Sequence, residues 1–188
     1  MTCHQDALRD GLKRAASALK AHGPSFALAG GYALWVHGAP EPVHDVDLVV
    51  AETDSDAAAA TLAAAGFQIE RTPEDWLFKA STSTSDGAVV DVLHRVDGVA
   101  VDPDLLGAAD TCDVLAISMP VLSATVVTCQ RLLALHEHHC NLGLLLPATR
   151  AIREQVDWTH VRQATVDDDF AAAFLFLVER LGIVAAPE

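Results

Sequence analysis

Three aspartates in this chain could hold a divalent metal ion. Asp45 and Asp47 stand two residues apart in an apolar stretch, so the alternation of a β-strand would place both side chains on one face. Asp91 lies in a second apolar stretch, VVDVLHRV. Neighbouring carboxylates repel one another unless a cation lies between them, and Mg²⁺ or Mn²⁺ prefers oxygen ligands. We therefore predict that these aspartates are both the metal ligands and the catalytic residues.

A glycine pair upstream of the aspartates could bind the phosphates of a nucleotide. Gly30 and Gly31 follow the apolar stretch FALA, and the stretch YALWVH after them is typical of a short helix. Backbone N–H groups at such a strand-to-helix turn can face an anion at close range. We predict that Gly30, Gly31 and the adjacent Tyr32 bind a nucleoside triphosphate.

Each of these features also has an ordinary structural interpretation. Asp45 and Asp47 could be solvated acids at a strand edge, and a glycine pair alone is a common tight turn. Asp91 could pair across strands with Arg95 or with another cation. The occurrence of all three features in one half of the chain favours the metal and nucleotide site.

Hydrophobic periodicity predicts the elements that must position these residues. The first half alternates helices with short strands, and the second half is helical, which indicates an α/β (α+β) half followed by a helical region that shares its core or packs on it. We place the boundary between residues 1–119 and 120–188. The predicted helices are 6–21, 32–37, 56–65, 122–140, 144–156, 158–164 and 170–181. The predicted strands are 26–29, 43–51, 67–71, 76–80, 88–96 and 112–119, with a hairpin loop at 81–87.

The chain is acidic, and the acidity is unevenly distributed. Its 188 residues carry a formal net charge of −14. Residues 1–129 hold 7 Lys and Arg against 18 Asp and Glu, whereas residues 130–163 hold 4 Arg against 3 acids. This balance argues against a surface that wraps a long nucleic acid and suits a cationic acceptor. Arg131 and Arg153 of the second segment are predicted to bind the nucleotide, although each also fits a surface or ion-pair role.

The remaining motifs bound the class of protein. The four cysteines form no C-x-x-C pair, so we expect reduced thiols and a cytoplasmic location. No apolar run approaches the roughly 20 residues of a membrane span, so no membrane partner is expected. His136 and Cys140, four residues apart on a predicted helix, leave open a second metal site or a polar helix face.

The spacing of the glycine and aspartate motifs resembles the nucleotidyltransferase superfamily that includes DNA polymerase beta. Gly30-Gly31, a gap of 13 residues, Asp45-x-Asp47 and a later strand Asp91 carry the resemblance. It implies a nucleotidyltransferase-type mixed sheet flanked by helices. It also implies transfer of a nucleoside monophosphate from an NTP such as ATP to a hydroxyl acceptor, with Mg²⁺ or Mn²⁺ as cofactor. Alternatives within the fold are a catalytically silent module that binds nucleotide or protein, and an enzyme acting on small, aminoglycoside-like molecules.

Within that superfamily the chain resembles small bacterial toxin-like proteins of the AbiE and MenT types. Their helical half carries a pattern close to Lys-Asp-x-x-Asp, and Arg153-Glu154 with Asp157 is its counterpart here. Arg131 is the candidate for their upstream phosphate-binding lysine. The resemblance implies a tRNA, protein or small-molecule acceptor and a cognate antitoxin, as in a toxin-antitoxin system.

Overall fold

Short strands and helices alternate along the chain up to Val121, and helices follow it. The computed structural model describes residues 2–73, 75–82, 88–96 and 98–186. The helices are α1 (Thr2–His22), α2 (Gly30–Val36), α3 (Ser55–Ala64), α4 (Pro103–Gly107), α5 (Ala124–Leu133), α6 (Leu142–Ile152), α7 (Trp158–Ala164) and α8 (Asp169–Arg180). The strands are β1 (Phe26–Leu28), β2 (Val46–Val50), β3 (Gln68–Arg71), β4 (Leu77–Ser81), β5 (Val89–Leu93), β6 (Arg95–Val96), β7 (Val99–Ala100), β8 (Asp110–Val114) and β9 (Ile117–Val121).

The chain divides into two compact units. The first unit comprises Met1–Tyr32 and Glu41–Leu122, and the second comprises Ala33–Pro40 and Ser123–Glu188. Among the residues that the structure describes, no helix is long and apolar enough to cross a membrane.

A mixed sheet forms the centre of the first unit. Its seven described strands run in the order β3-β4-β5-β2-β1-β9-β8. The β2–β5 and β1–β9 pairs are parallel and the other neighbours are antiparallel. Helix α1 packs on this sheet through Leu8, Leu12 and Leu19, which are buried at the helical spacing that the sequence shows. The predicted fold class, a mixed sheet flanked by helices, is confirmed.

The second unit is built from helices. Its apolar core includes Leu132 on α5, Val161 on α7, and Phe174 and Val178 on α8, all with at most 1% of their surface exposed. Helix α8 begins where the Asp168 side chain accepts a hydrogen bond from the Ala171 N–H at 2.7 Å.

Two predicted strands are wrong in extent because the chain turns where the sequence shows no turn signal. The predicted strand 112–119 is the β8–β9 hairpin, whose turn places Leu115 and Ala116 at φ of 51° and 66°. Such turns favour Asn or Gly, so Leu and Ala at these positions do not predict a turn. The predicted strand 88–96 ends at Leu93, where the His94 N–H turns to the carbonyl of Trp76 at 3.0 Å.

The predicted helix 122–140 is also wrong, because α5 ends at Leu133. The chain then forms a tight turn in which the His139 N–H donates to the His136 carbonyl at 2.8 Å. His136 and Cys140 therefore do not share a helix face. The predicted hairpin loop joins β4 and β5, which are antiparallel, but residues 83–87 of it lie outside the described part of the chain.

Candidate functional site

The carboxylates of Asp45, Asp47 and Asp91 converge in the first unit. One oxygen of each lies within 4.8 Å of the others. Over residues 2–73, 75–82, 88–96 and 98–186, no other three His, Cys, Asp or Glu side chains meet this spacing. The three aspartates that the sequence singled out are thus one cluster, which we call the aspartate triad.

The register of two parallel strands brings the triad together. Asp47 on β2 lies opposite Asp91 on β5, so both side chains stand on the same face of the sheet. Asp45 lies one residue before β2, which begins at Val46 rather than at the predicted residue 43. Asp45 is exposed, Asp47 is partly buried, and Asp91 is only 9% exposed.

A lysine that the sequence analysis missed contacts the triad. Lys79 on β4 lies opposite Asp91, and its Nζ donates to both carboxylate oxygens at 2.9 Å. Arg95, the partner considered from sequence, instead lies with its Nε 3.1 Å from Glu52 Oε1. A lone cation between Phe78 and Ala80 was the available signal, but the strand register that pairs it with Asp91 cannot be read from local sequence.

A side chain at position 30 would collide with Asp47 of the triad, so only glycine fits there. The φ of Gly30 is +54°, and a Cβ added there would overlap Asp47 Oδ2 and lie 2.6 Å from Asp47 Cγ. The preceding Ala29 N–H donates to the Asp47 carbonyl at 3.0 Å. At Gly31 an added Cβ would lie 2.9 Å from Pro42 Cβ. The glycine pair is therefore packed against the segment that carries two of the three aspartates.

Tyr32 is buried in a polar network. Its hydroxyl lies 3.4 Å from Glu41 Oε1, and Arg9 donates to the same carboxylate from Nε at 2.7 Å and from Nη2 at 2.5 Å. Burial, reinforced by the Glu41 charge, raises the pKa of Tyr32 to about 12. The hydrogen bond from Arg9 lowers the pKa of Glu41. With its side chain fully buried, Tyr32 offers a ligand no exposed phenol surface, and its role in nucleotide binding stays a prediction.

The two predicted arginines belong to the second unit. Arg131 lies near the end of α5 and is partly buried. Arg153 follows α6, where its Nε contacts Glu154 Oε1 at 3.0 Å and its Nη1 donates to the Arg150 carbonyl at 2.9 Å. Their assignment to the nucleotide stays a prediction.

The donor set of the triad fits a hard divalent cation. Three carboxylates offer oxygen ligands only, which suits Mg²⁺ or Mn²⁺ better than the sulfur and imidazole sites that select zinc or copper. Cys112, Cys129 and Cys140 are free thiols.

Comparison with solved structures identifies proteins of similar fold. No protein-family model and no curated protein matches the sequence. A solution structure of the antibiotic-resistance factor ANT(2″)-Ia matches with a TM-score of 0.50 and 12% identity over 91% of each chain. The chain has a nucleotidyltransferase-type fold.

Two further structures are similar over much of their length. The crystal structure of ANT(2″)-Ia in complex with adenylyl-2″-tobramycin has a TM-score of 0.47 at 13% identity, covering 90% of this chain and 97% of that one. A candidate nucleotidyltransferase from Thermotoga maritima has a TM-score of 0.46 at 19% identity, covering 61% of this chain and 76% of that one.

Proposed function

We propose that this chain transfers a nucleoside monophosphate from a nucleoside triphosphate to a hydroxyl acceptor, in a reaction that depends on Mg²⁺ or Mn²⁺. The observation that carries the proposal is the aspartate triad, whose oxygens lie within 4.8 Å of one another on a nucleotidyltransferase-type fold. Three carboxylates this close repel one another, and the Lys79 ammonium offsets only one of their three charges, so their convergence supports a bound cation.

The roles of the side chains follow from their positions. Asp45 and Asp47 would hold the divalent ion, which when bound offsets negative charge on the phosphates. Asp91 would orient the acceptor hydroxyl, whose oxygen bonds to the α-phosphorus as the bond to pyrophosphate breaks. The hydroxyl proton passes to Asp91 or to water. Gly30 and Gly31 would offer backbone N–H groups to the triphosphate.

Pyrophosphate release from NTPs, measured with Mg²⁺ and a cell extract as the source of acceptor, tests this proposal. Asp45→Asn, Asp47→Asn and Asp91→Asn should each lower the rate by about 100-fold or more. Asp113→Asn is the matched control, since Asp113 is an exposed aspartate of the same sheet outside the triad. Turnover that survives all three substitutions would refute the assignment, and a chain that binds NTP without turnover would be a catalytically silent module.

A small cationic acceptor is the candidate that the charge favours. Residues 1–129, which include the triad, hold 7 Lys and Arg against 18 Asp and Glu. An acidic surface attracts amines and repels polyanions. Incubation with labelled NTPs and a panel of aminoglycosides, with and without added salt, should label the aminoglycoside, and added salt should slow the reaction.

A tRNA acceptor with a cognate antitoxin is supported by the sequence resemblance to AbiE-type and MenT-type proteins. The support lies in Arg131 and in Arg153-Glu154 with Asp157. Including tRNA in the same labelling panel decides between the acceptors. Label on tRNA but on no aminoglycoside would overturn the small-acceptor proposal.

A further inference from the structure

Lys79 holds the carboxylate of Asp91 from the neighbouring strand. Its Nζ lies 2.9 Å from both Oδ1 and Oδ2. Asp47 lies opposite Asp91 on the other side, across β2 and β5. Directly opposed residues of adjacent strands share a face, so Asp47, Asp91 and Lys79 form a row across three strands.

The Lys79 ammonium stabilises a carboxylate that is largely withdrawn from water. An exposed ion pair contributes little, whereas a largely buried carboxylate that loses its partner is left uncompensated. The Asp91 side chain is 13% exposed, and two further carboxylates lie within 4.8 Å of it. Lys79 therefore offsets charge that would otherwise accumulate at Asp91.

The Lys79 ammonium limits how many divalent ions the three carboxylates can hold, because it contacts both oxygens of Asp91. Three carboxylates carry a formal charge of minus three, and the Lys79 ammonium reduces it to minus two. One divalent ion balances that remainder. A second ion would have to take the place that the ammonium holds at Asp91.

We infer that Lys79 is a built-in counter-ion that competes with divalent cations for Asp91. The inference rests on the metal site of the proposed function. In the nucleotide-free protein, Asp45 and Asp47 bind one divalent ion while Lys79 keeps Asp91 in place. Asp91 becomes a metal ligand only when the ammonium leaves it. A lysine suits this role because its compact charge sits on a flexible stem, and the side chain is 39% exposed.

Counting bound Mn²⁺ in the absence of nucleotide tests the inference. Electron paramagnetic resonance of free Mn²⁺ gives the number of ions per chain. The wild-type chain should bind one ion, and Lys79→Met should bind a second at concentrations where the wild type holds one. Lys79→Arg keeps the charge and should stay at one ion. The double variant Lys79→Met/Asp91→Asn should return to one ion, since the second site needs Asp91.

A thermal melt with and without Mn²⁺ guards against a folding artefact. If Lys79→Met is destabilised by its uncompensated carboxylate, Mn²⁺ should raise its Tm by more than it raises that of the wild type. Equal ion counts and equal Tm shifts in the two proteins would overturn the inference, as would a Lys79→Met chain that stays unfolded with Mn²⁺. If the wild type binds one ion that Asp47→Asn loses, the metal site stands whatever Lys79→Met does. A wild type that binds no ion would overturn both.

Discussion

Replacing Gly30 with alanine should damage the site more than it damages the fold. The new Cβ would lie 2.6 Å from Asp47 Cγ and 2.9 Å from Asp47 Cβ, so the whole carboxylate or the backbone must move. Left-handed backbone at φ +54° adds a conformational penalty for any residue with a Cβ. Gly30→Ala therefore combines strain with the displacement of a predicted metal ligand.

The two contributions can be separated with Gly98→Ala. Gly98 belongs to the same unit and has φ +76°. Apart from its two chain neighbours, none of the residues that the structure describes has an atom within 4 Å of an added Cβ. Left-handed alanine costs roughly 1–2 kcal/mol, partly offset by about 0.4–1 kcal/mol from the stiffer unfolded chain. Both variants should thus lose about 1 kcal/mol. The overlap at Gly30 should add about 1–3 kcal/mol, as for overpacked cores.

Urea denaturation and Mn²⁺ titration measure the two effects. We expect Gly30→Ala to be about 2 kcal/mol less stable than Gly98→Ala, and to bind Mn²⁺ about 10- to 100-fold more weakly, as when a group supporting a metal ligand is changed. Gly98→Ala should bind Mn²⁺ like the wild type. Equal stability and equal Mn²⁺ affinity in the two variants would refute the packing of Gly30 against Asp47.

Three further predictions concern Tyr32, Glu41 and two phenylalanines of α8. Tyr32 is the single tyrosine, so phenolate absorbance reports its titration alone. Because its pKa is raised, Tyr32 should titrate near pH 12 rather than 10.0 in the native chain, which should lose stability over that interval. A native midpoint near 10.0 would contradict the burial of Tyr32. Arg9 lowers the pKa of Glu41 below 4.5, so the stability that this ion pair contributes is complete above pH 4.5 and is lost as the pH falls through the native pKa of Glu41. Glu41→Gln should therefore weaken the fall in the free energy of unfolding at acid pH, measured by urea denaturation. An unchanged fall would contradict the pairing. On α8, Phe174→Ala should lower the free energy of unfolding by about 3–5 kcal/mol, measured in the same way. Phe176 is 65% exposed, so Phe176→Ala should lower it by at most about 0.5 kcal/mol. Similar losses in the two variants would contradict the described core.

Local sequence was sufficient for those parts of the site that depend on local geometry. The two-residue spacing predicted that Asp45 and Asp47 lie on one side, and an aspartate among valines marks Asp91 as unusual. Which strand lies beside which is set by long-range pairing. The sequence therefore predicted that Asp91 joins Asp45 and Asp47 as a ligand, but it did not give the strand pairing that brings Asp47 and Asp91 together, and the contact from Lys79 was missed.

The errors in the elements have the same origin. At Leu115 and Ala116 the chain reverses through positive φ without glycine or asparagine, because the β8–β9 pairing stabilises the turn. Helix α5 ends at Leu133 although apolar periodicity continues through Leu135. Helix α7, by contrast, has the predicted bounds, and its N-terminus has a local signal, the Asp157 side chain accepting a hydrogen bond from the His160 N–H.

The most direct test of the proposed site is a crystal structure with a non-hydrolysable nucleoside triphosphate and Mn²⁺, located by anomalous scattering. We expect a manganese peak within coordination distance of Asp45 and Asp47, and the triphosphate against the backbone of Gly30 and Gly31. A triphosphate bound elsewhere, or manganese bound without these carboxylates, would contradict the proposal that the aspartate triad is a nucleotidyl-transfer site.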